Sequence, residues 1–518
     1  MNADLILFNG NVITMNPSEH RAQAVAVKKG KIVHVGANSE IKQWIGGHTK
    51  TIDLKHKTVV PGLNDSHAHM ISLGHPFPYL ELRHVSSIKE IQRRLKMKVN
   101  ETGKGKWILG RGWDQDRLKE KRYPTRWDLD KVSLGNPVLL TRVCGHVSVA
   151  NSRALETAKM DTNEASSLGN LVDRDPKTGE STGILREGAS DLVWNLPELS
   201  EKELLAACSR ACAEAIRLGL TSVTWLASKP DEIHALMKLE KQAKLPLRIN
   251  IMVPIEHFKC FKSKRLNRPF LKLRCVKIFT DGSLGARTAA LEKPYADDPS
   301  TKGVLYYNQE ELRKFFSEAD KAGFQIAVHV IGDLALSETL KAFKNAVGKN
   351  QITQKRHRIE HASVVNPSLL RLIKKLGLLV CVQPPFVTSD FWIENRLGHD
   401  RARWTYAFKS MISGGICIAA SSDAPGELLN PLLGLGAAVD RESFPEERLS
   451  VEEALEAYTV NAAYFSFEEE VKGSIAVGKY ADLTVLSHDP FKVESGRIKN
   501  IRVEMTIVDG NVVFAARS

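Results

Sequence analysis

No window of this 518-residue chain approaches eighteen consecutive apolar residues, which argues against a membrane-spanning helix. The start, Met1-Asn2-Ala3-Asp4, lacks a basic segment, and its apolar stretch breaks at Asn9-Gly10, so no secretion signal is expected. No run of five like charges occurs. The 73 Lys+Arg and 60 Asp+Glu, net charge +13, are interspersed instead. That distribution speaks against a nucleic-acid partner. The densest basic stretch, Lys259 to Arg274, holds only isolated phenylalanines and no known nucleic-acid-reading motif. It reads as a solvated basic surface with modest attraction for anionic ligands. The cysteines (144, 208, 212, 260, 275, 381 and 417) are an odd count of seven without Cys-x-x-Cys spacing. They fit a reduced cytoplasmic protein better than a disulfide framework. Internal repeats and low-complexity tracts are also missing.

A chain of this length is too long for one small core, so one large domain with at least one satellite is expected. Hydrophobic residues at 43% and charged residues at 26% describe an ordinary soluble globular protein. The first sixty residues read as short strands: Leu5 to Phe8, Val12 to Met15, Ala24 to Lys28 and Lys31 to Val35, with turns at Asn9-Gly10 and Lys29-Gly30. The last fifty look alike, with Asp482 to Leu486, Val503 to Val508, the turn Asp509-Gly510, and Val512 to Phe514. Two β-rich ends suggest one small sheet domain assembled from residues 1–60 and 465–518.

The middle, 61–464, has a different rhythm. Eight short apolar strands follow one another: Val59–His69, Gly219–Trp225, Leu247–Pro254, Arg274–Asp281, Gln325–Asp333, Arg356–Ala362, Leu378–Pro385 and Ile416–Asp423. Most are near-continuous apolar runs, as expected of parallel strands buried on both faces. Helical segments separate them, and Ser200 with Glu203, Asn308 with Glu311, and Ser450 with Glu453 form capping-box patterns. The fold class is therefore α/β, a (β/α)8 TIM barrel. Residues 70–200 are far too many for a strand–helix loop after strand one. They read as an inserted subdomain at the catalytic end, a lid and substrate selector; a peripheral decoration is the plainer alternative.

In such a barrel, functional residues sit at the C-terminal ends of the strands. Those ends carry His67 and His69 on strand one, Lys277 on strand four, His329 on strand five, His361 on strand six and Asp423 on strand eight. Residues two apart on a strand share a face, so His67 and His69 offer two imidazoles together, half of a site for a borderline divalent ion. Taken singly, each residue has a plain structural role: a hydrogen-bonded core histidine, or an aspartate capping a helix. Lys277 is stranger, because an unpaired buried ammonium costs several kcal/mol. It requires a carboxylate, a covalent modification or a metal neighbourhood. Together the six residues point to a metal site.

These stretches resemble the amidohydrolase superfamily, specifically its YtcJ-like branch (the amidohydrolase 3 group, which includes N-substituted formamide deformylases). The resemblance rests on Pro61-Gly62-Leu63-Asn64-Asp65-Ser66-His67-Ala68-His69, Arg111-Gly112-Trp113-Asp114, Arg142-Val143-Cys144-Gly145-His146 and Lys277-Ile278-Phe279-Thr280-Asp281-Gly282-Ser283-Leu284-Gly285. It continues through His329-Val330-Ile331-Gly332-Asp333, Arg358-Ile359-Glu360-His361-Ala362, Ser422-Asp423-Ala424-Pro425 and Gly478-Lys479-Tyr480-Ala481-Asp482-Leu483. It implies a composite β-sandwich from both termini beside the barrel. It also implies that His67 and His69 bind a buried divalent ion, His329 and His361 a more exposed one, and that Lys277, if carboxylated, bridges them. One or two ions are compatible with these residues, zinc first, iron or manganese as alternatives. Asp423 would be both ligand and general base toward a metal-activated water. His146, Trp113, Arg142 and Asp281 match the branch as substrate-binding candidates, with packing as the alternative for Trp113 and loop shaping for Asp281.

The expected function is a metal-dependent hydrolase of a non-peptide carbon–nitrogen bond in a small amide-like substrate, most simply a linear amide. A deaminase would resemble relatives with a glutamate three residues after the strand-five histidine; here that position is Gly332. A lactonase or phosphotriesterase-type hydrolase could use the same site. A non-catalytic regulator reusing the fold is the alternative from another class, and it would normally show replaced ligands. Relatives suggest a homodimer.

Overall fold

The chain is described by a computed structural model covering residues 2–75, 79–160, 169, 171–194 and 199–517. The eight apolar runs form one parallel sheet in sequence order: Leu63–Ala68, Leu220–Leu226, Arg248–Pro254, Leu271–Phe279, Gln325–Val330, Arg358–His361, Leu379–Val382 and Ile418–Ala420. The residues of Leu220–Leu226, Gln325–Val330 and Leu379–Val382 are buried throughout, because both faces of these strands are covered. The loop after the eighth strand brings the sheet nearly to closure. Asp423 N–H donates to the His67 carbonyl at 2.9 Å, and His69 N–H donates to the Ala424 carbonyl at 2.7 Å. The Asp65 carboxylate accepts the Ser422 N–H across the same seam at 3.1 Å. A TIM barrel results.

The expected first strand is in fact two. Thr58–Pro61 pairs with Leu483–Leu486 and Asn11–Ile13, and only Leu63–Ala68 enters the barrel. Gly62 makes the break. A Cβ there would stand 2.0 Å from Thr221 Oγ1, and its N–H donates to the Asp482 carbonyl at 2.8 Å. All three capping boxes form, at the starts of helices Glu201–Arg217, Gln309–Lys321 and Val451–Tyr458. The third and fourth strands are joined otherwise than expected. In place of an α-helix stand a 3-10 segment, Ile255–Cys260, and a short strand, Leu266–Asn267, pairing antiparallel with the fourth strand. Lysines crowd this connection, and Pro269 removes a helix donor.

The chain ends form two sheets. Lys31–Gly36, Ala24–Lys28, Leu5–Phe8 and Lys50–Asp53 make one. Asn511–Ala515, Val503–Val508, Leu483–Leu486, Thr58–Pro61, Asn11–Ile13 and Arg21–Ala22 make the other, pairing strands of both termini. Leu5, Leu7 and Val25 from the first share an apolar cluster with Val12, Leu483 and Ile507 from the second. Lys29-Gly30 and Asp509-Gly510 both take positive φ at both residues, the geometry of a two-residue hairpin turn.

Residues 75–204 form a compact unit of their own with 282–289, the loop after the fourth barrel strand. Its six-stranded sheet runs Val172–Arg174, Ser181–Arg186, Val147–Ala150, Val138–Arg142, Ile108–Trp113, Tyr79–Glu81. Separate apolar clusters serve it, one around Ile91, Leu95, Trp113 and Leu140, another around Leu109, Leu139 and Leu155. Among the described residues no helix is long and apolar enough to cross a membrane, and all seven cysteines are free thiols.

Candidate metal centre

The six residues expected at the barrel strand ends come together. Ring centroids lie 5.7 Å apart for His67–His69, 5.3 Å for His67–His361 and 4.6 Å for His329–His361. Lys277 Nζ is 3.1 Å from His67 Nε2, and Asp423 Oδ1 is 3.5 Å from His67 Nε2 and 3.3 Å from His69 Nε2. Two of the six depart from ordinary strand geometry, His361 at φ 72° and Asp423 at φ 55°. Positive φ is costly for a residue with a Cβ and is held only where surrounding contacts enforce it. At His361 it breaks the alternation of the strand, so that Glu360 and His361, neighbours in sequence, both serve the same centre.

Electrostatics suit these groups to a cation. Burial lowers the pKa of His67 to about 4 and of His361 to about 3, so both imidazoles are neutral and keep lone pairs for coordination. Burial pushes the Asp423 carboxyl up, but His69, His67 and His361 outweigh it and hold the group well below the usual range, as the anion. Burial brings Lys277 down to about 8, toward the neutral amine. Its Nζ lies 4.5 Å from the centroid of the Phe279 ring. Asp423 Oδ1 is buried without a hydrogen bond of ordinary geometry and faces two imidazole nitrogens. The His67, His69 and Asp423 ligand atoms all lie within 4.8 Å of one another. Oxygen and imidazole donors so arranged fit a divalent ion. The His69 side chain is 30% exposed and that of Asp423 19%, against 0% for His67, so the centre opens on the side of His69 and Asp423.

Four supporting residues escaped the reading of the sequence. Glu360 accepts from His67 Nδ1 and is gripped by Arg358, whose Nε and Nη2 lie 2.5 and 2.9 Å from its two oxygens. Burial raises the Glu360 carboxyl, but Arg358 and His67 more than offset this and keep it ionised. Its bond fixes the His67 tautomer that leaves Nε2 bare. Gln383 Oε1 does the same for His361, 2.6 Å from Nδ1, while Gln383 Nε2 donates to Ser421 Oγ at 2.9 Å. Asp65 accepts the His67 N–H at 3.0 Å, and burial raises its pKa to about 7. Arg358 and Glu360 stand two apart, on one face of a buried strand. An inward-facing opposite-charge pair of that spacing was the available signal.

The remaining site expectations fare differently. Asp281 is fully buried and spends its carboxylate on the N–H groups of Ala290, Ile331 and Gly332 at 2.9, 3.0 and 2.8 Å. These bonds shape the loops after strands four and five, the alternative that the sequence offered for Asp281. Asp281 Oδ1 is also 3.8 Å from His329 Nε2. A side chain at 332 is sterically closed, since a Cβ would meet the Ala290 carbonyl oxygen at 1.9 Å, so no glutamate could serve there. Trp113, Arg142 and His146 belong to the second unit. Trp113 is fully buried and donates from its indole to the Leu140 carbonyl at 2.8 Å. Arg142 is also fully buried, with Nε 2.7 Å from Gln115 Oε1 and Nη2 2.7 Å from Asp114 Oδ1. His146 Nδ1 pairs with Glu187 Oε2 at 2.7 Å.

Comparison with known proteins extends this picture. The family model described as Amidohydrolase family matches residues 50–514. The YtcJ protein of Bacillus subtilis (strain 168) is 34% identical over 98% of this chain and 99% of its own. An N-substituted formamide deformylase of Arthrobacter pascens is 26% identical over 98% of this chain and 97% of its own. The crystal structure of an uncharacterized metal-dependent hydrolase from Pyrococcus horikoshii superposes with a TM-score of 0.77 at 33% identity, covering 95% of this chain and 99% of that one.

Proposed function

Since the chain belongs to the Amidohydrolase family and is thereby a metal-dependent hydrolase of carbon–nitrogen bonds other than peptide bonds, we propose that it hydrolyses a linear amide, with Asp423 as general base. One observation carries the reading: the anionic Asp423 sits with its buried Oδ1 against the imidazoles of His67 and His69. His67, His69, Lys277, His329, His361 and Asp423 would hold the divalent ion or ions, zinc as first choice and iron or manganese as alternatives. When bound, such an ion polarises a carbonyl and lowers the pKa of a water.

The chain's own groups do the rest. Glu360 and Gln383 hold the two histidine tautomers, so the donor nitrogens need no reorganisation. Asp423 takes the proton of the attacking water and returns it to the leaving nitrogen, a role suited to an ionised carboxylate at the open side of the centre. Lys277 supports a bridge if its neutral amine adds carbon dioxide and loses a proton, which removes a buried cation and supplies two oxygens. His146 is kept as a donor to the substrate carbonyl, and residues 70–200 as the substrate-selecting lid. Residues 1–60 and 465–518 are read as a β-sandwich beside the barrel of 61–464. A cytoplasmic setting suits seven free thiols, and a homodimer completes the reading. The lactonase or phosphotriesterase-type and regulatory alternatives draw on no feature of their own.

The likeness to an N-substituted formamide deformylase supports the amide class. The test is a screen of N-formyl, N-acyl and carbamoyl compounds with protein purified without chelator, alongside elemental analysis. At least one divalent ion per chain is expected. Asp423→Asn should keep the ion and lose turnover by about 100- to 10,000-fold. Undiminished turnover in that variant removes Asp423 as base, and an ion content well below one per chain sinks the hydrolase reading.

A further inference from the structure

The basic stretch Lys259–Arg274 contributes nothing to the metal centre. It links the third and fourth barrel strands, and Leu266–Asn267 pairs antiparallel with the fourth in the register Leu266↔Leu273 and Asn267↔Lys272. Arg265 directly precedes the paired residues and Arg274 directly follows them, so the two stand at the same end of this short ladder. Like charges brought together at the end of such a pair repel. Neither guanidinium has an ion pair or a hydrogen bond to a carboxylate among the described residues, and Arg274 Nε is buried without a hydrogen-bond partner.

The acidic groups nearby are engaged elsewhere. Glu468 is held by Lys272 and Lys472, each at 2.7 Å, and Glu469 by Arg356 at 2.5 and 2.9 Å. Burial and the neighbouring Arg265 pull the Arg274 pKa down, Glu468 offsets this in part, and Arg356 adds to the repulsion. Phe467 backs the cluster, its ring centroid 5.2 Å from the Arg274 guanidinium and 4.6 Å from that of Arg356. It does so from the left-handed region at φ 58°, costly for an aromatic residue and held by its surroundings. Arg265 Nη1 lies over the turn at Gly323, 3.2 Å from where a Cβ would stand. Arg274 is half-buried and Arg265 exposed, so the pair is open to solvent on one side.

We propose that Arg265 and Arg274, backed by Phe467, form a binding site for a phosphate-class oxyanion toward the N-terminal end of the barrel strands. A guanidinium offers a planar fork matched to phosphate oxygens, and an anion between two such forks turns their repulsion into charge-assisted contacts. Arg274 precedes Lys277 by three residues on one strand, about 10 Å along it, so the site is separate from the metal centre. Free phosphate and the phosphate of a nucleotide share this chemistry.

Thermal unfolding of the full metal-loaded protein tests it, in sodium phosphate or AMP against sodium chloride of equal ionic strength. The parent and an exposed-charge control, Arg497→Gln, should gain about 1–2 °C at tenfold excess over Kd. Arg265→Gln should lose most of that gain, and Arg265→Gln/Arg274→Gln all of it. A gain with inorganic phosphate assigns the free ion, and a gain with AMP alone assigns a nucleotide phosphate. No gain in the parent with either anion, or an equal gain in the arginine variants, overturns the proposal. Arg265 is exposed, so the single variant answers even if the double variant fails to fold.

Discussion

His67 illustrates how one side chain is prepared by others. Its ring is wholly buried, which favours the neutral form, and Glu360 then decides which nitrogen keeps the proton. Glu360 can remain an anion in that setting because Arg358 grips both its oxygens while also donating to the Ser66 carbonyl at 2.8 Å. Glu360→Gln should therefore retain the fold but weaken metal binding by about 10- to 100-fold, measured by competition with a chelator. Unchanged affinity would mean that the tautomer is set elsewhere. The signal for Glu360 was present in the chain, since it adjoins His361, but its partner His67 lies 293 residues away. Nothing local in the sequence could name that partner.

At the scale of elements, the seam between the first and eighth barrel strands decides whether the centre exists. His67, His69 and Asp423 lie on the two sides of it, and backbone bonds between them set their separation. Asp65 reinforces the seam by accepting from both sides, the His67 N–H at 3.0 Å and the Ser422 N–H at 3.1 Å. Removing that carboxylate leaves two buried donors unpaired, at about 1–3 kcal/mol. Asp65→Ala should lower stability by that amount in denaturant unfolding and reduce metal occupancy with it. Full occupancy in a destabilised variant would show that the seam and the centre are independent. The strands themselves were legible as apolar runs, and the capping boxes as residue pairs three apart. The connection between strands three and four was not, because its short antiparallel pairing leaves no periodic trace.

Across the whole molecule, the chain ends are tied to the barrel by charge as well as by apolar packing. Arg248, at the start of the third barrel strand, is 2% exposed and holds Asp482 through two bonds of 2.7 and 3.1 Å. It also reaches Asp509 at 3.1 Å and stacks on Tyr480 with its guanidinium 3.8 Å from the ring centroid. This gives Gly478-Lys479-Tyr480-Ala481-Asp482-Leu483 a physical meaning as the joint between the C-terminal strands and the barrel. Arg248→Ala strands a buried carboxylate, and a loss of about 3–5 kcal/mol is expected in equilibrium unfolding. Hydrogen exchange should then accelerate first in 503–515. Uniform acceleration throughout the barrel would show that the joint has no local role.

By itself the sequence determined the repeating units, because burial on both faces of a strand demands continuous apolar runs and a helix start demands its caps. It also determined the chemistry at each strand end, since a histidine, lysine or aspartate brings its donor atoms wherever it stands. Tertiary structure alone decided which of those donors meet, which are neutral, and which are spent elsewhere. Asp281 and Asp423 are both aspartates beyond strand ends, yet one is consumed by three backbone N–H groups and the other faces two imidazole nitrogens. That difference depends on contacts between segments far apart in the chain, and on the field inside a closed barrel, neither of which is a property of any residue alone.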